Sequence, residues 1–132
     1  MSEPAPIPRV SPFNALLGIE VEDLESGGCR LTLSPRDEHR NELGSVHGGL
    51  ITTLLDGAMG RAAGRCVGAG GFCATTQLSV QFLEPAEGVL TAESRITRAG
   101  GRVAFVEAEC RRADGTLVAR AQGVWALKRP QT

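Results

Sequence analysis

Basic runs are missing from this chain: no stretch of Lys and Arg exceeds two residues, and the formal net charge is -1. A sequence-independent hold on a phosphate backbone needs a concentrated basic face, so nucleic acid is not expected as a partner. Long apolar runs are missing too. No segment approaches the ~20 apolar residues that cross a bilayer. The start, Met1 to Pro12, carries four prolines and no stretch suited to a signal-peptide core. A cytoplasmic protein without a membrane partner is expected. Histidine is scarce at two residues, and the four cysteines (Cys29, Cys66, Cys73, Cys110) form no C-x-x-C pair. That usage points to small buried hydrophobes in a reducing compartment, with no metal and no cofactor. Aromatic residues are only 4% of the chain, which removes an obvious stacking pocket for an aryl ligand, although aliphatic walls also hold rings.

What is present fits one globular domain. The 132 residues are enough for a single core, with 42% hydrophobic and 22% charged residues. Ser11-Pro12 reads as an N-cap followed by proline at the first helical position, opening a short helix through Leu17 that Gly18 stops. Strands are expected over about Ile19–Leu24 and Cys29–Leu33, with Ser26-Gly27-Gly28 between them. Pro35 to Val46 is polar and reads as a loop. Gly48–Val67 is the one long helix. Four strands complete the chain: Phe72–Leu83, Val89–Thr97, Arg102–Arg112 and Thr116–Leu127, the last two joined by the Asp114-Gly115 turn. In the first of these, Phe72, Ala74, Leu78, Val80 and Phe82 share one parity of a period-two pattern. One helix cannot cover both faces of such a sheet. The economical solution wraps the sheet around the helix and pairs the remaining face or edge with a second copy.

At about 100° per residue, Ile51, Leu54, Leu55, Ala58, Ala62 and Cys66 form a core stripe on the long helix. Thr53, Gly57, Gly60 and Gly64 lie across from it, with Asp56 beside Thr52 and Ala63 at the margin. Each interior glycine costs roughly 1 kcal/mol relative to alanine, so a backbone or ligand is expected close to that face. Asp56 is the only acidic residue of the segment. On pattern alone it is either a solvated surface carboxylate or a poorly solvated, basic one. The preceding run, Asn41-Glu-Leu-Gly-Ser-Val-His47-Gly48-Gly49, places two glycines where helix N–H groups lack intrahelical partners at the positive end of the dipole. Such donors suit a carbonyl oxygen that gains charge. His39 carries no assignment.

The string Asn41-x-x-Gly44-x-x-His47-Gly48-Gly49, followed by Asp56 seven residues after Gly49, resembles the signature of hotdog thioesterases of the phenylacetate-pathway (PaaI-like) group. The resemblance continues through Thr75-Thr-Gln-Leu-Ser-Val-Gln-Phe-Leu-Glu-Pro-Ala86, Gly101-Arg102 and Asp114-Gly-Thr-Leu-Val-Ala119. It implies an α+β hotdog fold, a sheet of five to six antiparallel strands around one long helix, over residues 11–128 after an extended segment 1–10. It implies hydrolysis of acyl- or aryl-CoA thioesters, with Asp56 as general base or nucleophile and the Gly48 N–H on the thioester oxygen. Asn41 and His47 match residues that position thioester and water, with Gly49 beside them. Thr75 matches a Ser or Thr that reaches the site from the neighbouring subunit. Arg98 and Arg102 are candidates for the CoA phosphates, against a plain reading as solvated charge. The family implies a homo-oligomer, a dimer or dimer of dimers, with sites between protomers. Alternatives are a hotdog enoyl-CoA hydratase, whose Asp–His spacing this chain lacks, and a non-catalytic acyl-CoA sensor, which would bind without turnover.

Overall fold

The computed structural model describes residues 10–130, so residues 1–9 of the expected extended segment lie outside the described residues. Helix α1 (Pro12–Leu17) forms as its caps dictate: the Ser11 hydroxyl accepts from the Asn14 N–H at 3.1 Å, and Gly18 closes the helix at φ 78°. Strands β1 (Glu20–Asp23) and β2 (Cys29–Leu33) follow. The polar loop holds an unexpected 3-10 turn, Asp37–His39. Helix α2 (Gly48–Val67) has the expected bounds, and β3 (Phe72–Phe82), β4 (Leu90–Ala99), β5 (Val103–Arg112) and β6 (Leu117–Lys128) complete the element order.

These strands make one antiparallel sheet in the order β1-β2-β4-β5-β6-β3. The strand after the helix therefore sits beside β6 at the far edge rather than beside β4. Helix α2 packs against β2, β3, β4, β5 and β6, which is a six-stranded hotdog. No helix among the described residues is long and apolar enough to cross a membrane.

Leu54, Leu55, Ala58, Met59, Ala62 and Ala63 are fully buried, so the core stripe of α2 is wider than its periodicity suggests, while Cys66 is only half-buried. The glycine face needs a correction. A Cβ on Gly57 would stand 2.8 Å from Leu31 Cδ2, and one on Gly60 would stand 3.3 Å from Trp125 Nε1. Gly64 faces Cys73 Sγ. What comes close to these glycines is the chain's own sheet, which they let wrap tightly.

The alternation assigned to β3 is also corrected. Thr75 pairs with Trp125 and Gln77 with Val124, so Thr76 is an extra residue in a bulge. A bulge reverses which parity faces inward. Cys73 and Thr75 contact α2 before it, and Phe82 meets the helix start after it. Phe72 and Ala74 thus leave the face shared by Leu78, Val80 and Phe82.

Candidate active site

Asp56 lies half-buried on α2, and the Thr75 hydroxyl donates to its Oδ1 at 2.9 Å. This contact is made within one chain. Here β3 lies along α2, and the bulge turns Thr75 onto Asp56 of its own chain. A carboxylate with a fixed donor on one oxygen keeps the other oxygen for water or substrate.

The start of α2 is built by its loop. Asn41 Oδ1 accepts from the N–H groups of Leu43 (2.9 Å) and Ser45 (3.2 Å), and the turn closes through Gly44 at φ 86°. The Asn41 side-chain oxygen therefore organises the loop. His39, unassigned from sequence, is buried: its Nδ1 accepts from the Arg36 N–H at 3.1 Å, and its carbonyl accepts from the His47 N–H at 2.8 Å. It anchors the segment that delivers His47. A lone loop histidine carries no sequence signal for that task.

His47 is the N-cap of α2, with Nδ1 accepting from the Gly49 N–H at 2.8 Å. The neutral ring then carries its proton on Nε2, directed away from the cap. Gly49, expected at the substrate, has its N–H taken by His47. Gly48 differs, because its N–H has no acceptor among the described residues. The Phe82 ring, itself about half exposed, flanks it: a Cβ on Gly48 would stand 3.3 Å from Phe82 Cε1. One free N–H at the positive end of a 20-residue helix is a donor available to an oxygen that carries negative charge.

Along the helix, the eight residues from Gly48 to Asp56 span about 12 Å at 1.5 Å each. One thioester cannot touch both groups of one chain. Arg98 and Arg102 lie exposed on either side of the β4–β5 turn. The Arg129 guanidinium ties that turn to the far end of α2, donating to Gly100 O (3.0 Å) and Cys66 O (2.7 Å). The structure thus brings Asp56 and Thr75 together, groups Asn41, His47, Gly48 and Gly49 at the helix start, and leaves the two arginines elsewhere.

A cavity of about 870 Å³ does not coincide with this chemistry. Ser79, Gln81, Glu107, Glu109, Arg120 and Gln122 line it on the sheet face turned away from α2, so it is not assigned to the site. A smaller pocket of about 280 Å³ opens at the helix start between Phe13, Leu17, His47, Leu50 and Thr53. All four cysteines are free, Cys29 and Cys110 buried as expected. Burial pushes the Cys29 thiol up to about 11 and the Cys110 thiol to about 12. Cys73 is raised by burial first, then by the charges of Cys66 and Asp56. Among the described residues no three metal-ligating side chains cluster.

Fold and site together define a hotdog protein of the thioesterase type, and comparison with known proteins agrees. The chain belongs to the family described as a domain of unknown function, DUF4442, whose model matches residues 6–127. It is 35% identical over 114 residues to a candidate esterase of Saccharolobus solfataricus, covering 86% of this chain and 81% of that protein. Among solved structures, a phenylacetic acid degradation-related protein of Ralstonia eutropha JMP134, described as a candidate thioesterase, is 31% identical with a TM-score of 0.81 and 92% of each chain covered. A Bacillus halodurans protein crystallised with CoA is 29% identical with a TM-score of 0.84, covering 92% of this chain and 82% of that one.

Proposed function

We propose that this protein hydrolyses acyl- or aryl-CoA thioesters in a site completed by a second copy of the chain. The observation that carries the reading is the pair of prepared groups on α2: a carboxylate held by the Thr75 hydroxyl, and a helix-start N–H at Gly48 without an acceptor. Their separation of about 12 Å favours a site joining Asp56 of one protomer to the Gly48 end of the other. The edge strand β3 offers a way to assemble it. It is 11 residues long, holds no charged residue, and has no neighbour on its outer side among the described residues. Natural edges of that kind are usually covered or paired.

In the reaction the Gly48 N–H takes the thioester oxygen as it gains negative charge. Asp56 either accepts a proton from the attacking water or attacks the carbonyl carbon itself. When water attacks, the C–S bond breaks to give free acid, and the proton taken by Asp56 passes to the CoA thiolate. When Asp56 attacks, CoA thiolate leaves a mixed anhydride. Water hydrolyses that anhydride to free acid and the restored carboxylate, the released proton going to the thiolate. In this reading His47 donates its Nε2 proton near the same carbonyl. The β4–β5 turn that carries Arg98 and Arg102 is tied through Arg129 to Cys66, which is ten residues, about 15 Å, along the helix axis from Asp56. The family resemblances in fold and sequence support this reaction class.

The test is free-thiol release from short, medium, long and aryl CoA esters. Asp56→Asn keeps size and removes basicity and nucleophilicity, so turnover falls at least about 10²-fold while folding and binding persist. Retention of more than about a tenth of wild-type turnover would return Asp56 to a solvated helix residue. Binding of acyl-CoA by the wild type without any thiol release would make the protein a sensor.

A further inference from the structure

We propose that Thr76 is a positioning residue for this site: its hydroxyl pins the β3 bulge that lets one strand serve both Asp56 and the start of α2. The inference rests on the reading of Asp56 given above. In a regular strand residues 73, 75, 77, 79 and 81 share a face, and Thr75 and Phe82 point oppositely. Here both point at α2, Thr75 onto Asp56 and Phe82 against Gly48. The single extra residue between them, Thr76, makes this possible. Its hydroxyl donates to the Val124 carbonyl at 3.0 Å, on the neighbouring strand at the position where the register shifts. A bulge leaves ladder groups unpaired and gains from a side chain that satisfies one of them. Thr76 is exposed, so its hydroxyl has solvent as an alternative partner, yet it is directed back at the ladder. Without the bulge either Thr75 turns to the outer face or Phe82 leaves the helix start.

Thiol-release kinetics on Thr76→Val, Thr76→Ala, Thr76→Ser, Thr75→Val and the Thr75→Val/Thr76→Val double variant test this, with Asp56→Asn alongside. Thr76→Val and Thr76→Ala should each lower kcat about fivefold, the worth of one neutral hydrogen bond, with a smaller change in KM. Thr76→Ser, which keeps the hydroxyl, should return to within about twofold of wild type. In the Thr75→Val background, Thr76→Val should cost less than it does alone, because the part of its effect that passes through Thr75 is already lost and only the part through Phe82 is left. Wild-type kcat in both hydroxyl-free variants, or losses that multiply in the double variant, would overturn the role of Thr76 while Asp56→Asn remains inactive. An active Asp56→Asn would instead overturn the Asp56 reading and the inference with it.

Discussion

The Gly48 N–H can be tested separately from Asp56, because here stability and activity should move apart. Gly48 has no left-handed φ, so any L-residue fits its backbone. An added Cβ meets only the Phe82 ring, at 3.3 Å, and that ring is about half exposed and can yield by a few tenths of an ångström. Alanine in place of helical glycine gains up to about 1 kcal/mol, offsetting that contact. The melting temperature of Gly48→Ala should therefore stay within about 4 °C of wild type. Turnover should not follow. An oxyanion donor works at 2.7–3.1 Å from the oxygen, and loss of one costs roughly 10²–10³ in other enzymes. Side-chain bulk between the helix start and Phe82 lengthens that distance without deleting the donor, so at least about tenfold should be lost in Gly48→Val and less in Gly48→Ala. Steady-state thiol release and thermal melts on the same preparations provide both readings. Two folded variants with turnover within twofold of wild type would remove Gly48 from the site.

Three further outcomes follow from other parts of the structure. Light scattering at micromolar concentration should report a homo-oligomer, since β3 is a long uncharged edge; a stable, fully active monomer would refute the shared site. Ser94→Ala should destabilise by about 1–3 kcal/mol in urea melts, because the buried hydroxyl accepts from the Cys29 N–H at 3.0 Å and donates to Ala58 O at 2.7 Å; an unchanged midpoint would show these bonds contribute nothing. Burial raises the Cys110 thiol from 9.0 to about 12, so its contribution is fully present below pH 9 and lost as pH climbs from 9 towards 12; urea midpoints should fall over that window, less steeply in Cys110→Ala, and equal slopes would refute the assignment.

The parts of the fold governed by local chemistry were readable from sequence. Ser11-Pro12 and Gly18 bound α1, and a proline-free stretch opening on Gly48-Gly49 gave α2 to the residue. Strand boundaries fell within two residues, but faces did not follow. Phe72, Ala74, Leu78, Val80 and Phe82 alternate so regularly that parity alone puts them together, and one extra threonine leaves no mark in composition. The glycines of α2 were legible as a close approach, yet what approaches is set by how the sheet curls. At the helix start the motif marked the segment that caps α2. It could not tell that Asn41 Oδ1, His47 Nδ1 and the Gly49 N–H satisfy one another's loop, because those bonds depend on a turn that brings residues two to four apart face to face.

That self-satisfaction narrows the chemistry. With Gly49 capped by His47 and the Asn41 oxygen held by its turn, the Gly48 N–H, the proton on His47 Nε2 and the Asn41 side-chain N–H groups are left to meet a thioester at the helix start. All are donors. A carbonyl oxygen needs donors, and an attacking water needs an acceptor, which none of these groups is. In the proposed reaction the acceptor is Asp56, about 12 Å along the same rigid helix, and no side-chain rotation closes that gap. On that proposal the two halves of the site both lie on α2 but are held apart by its geometry. They can meet only if two helices run past each other in opposite directions, so that each Gly48 faces the other chain's Asp56. Two-fold pairing along the β3 edge has that symmetry, so the proposed site predicts that assembly and catalysis are lost together.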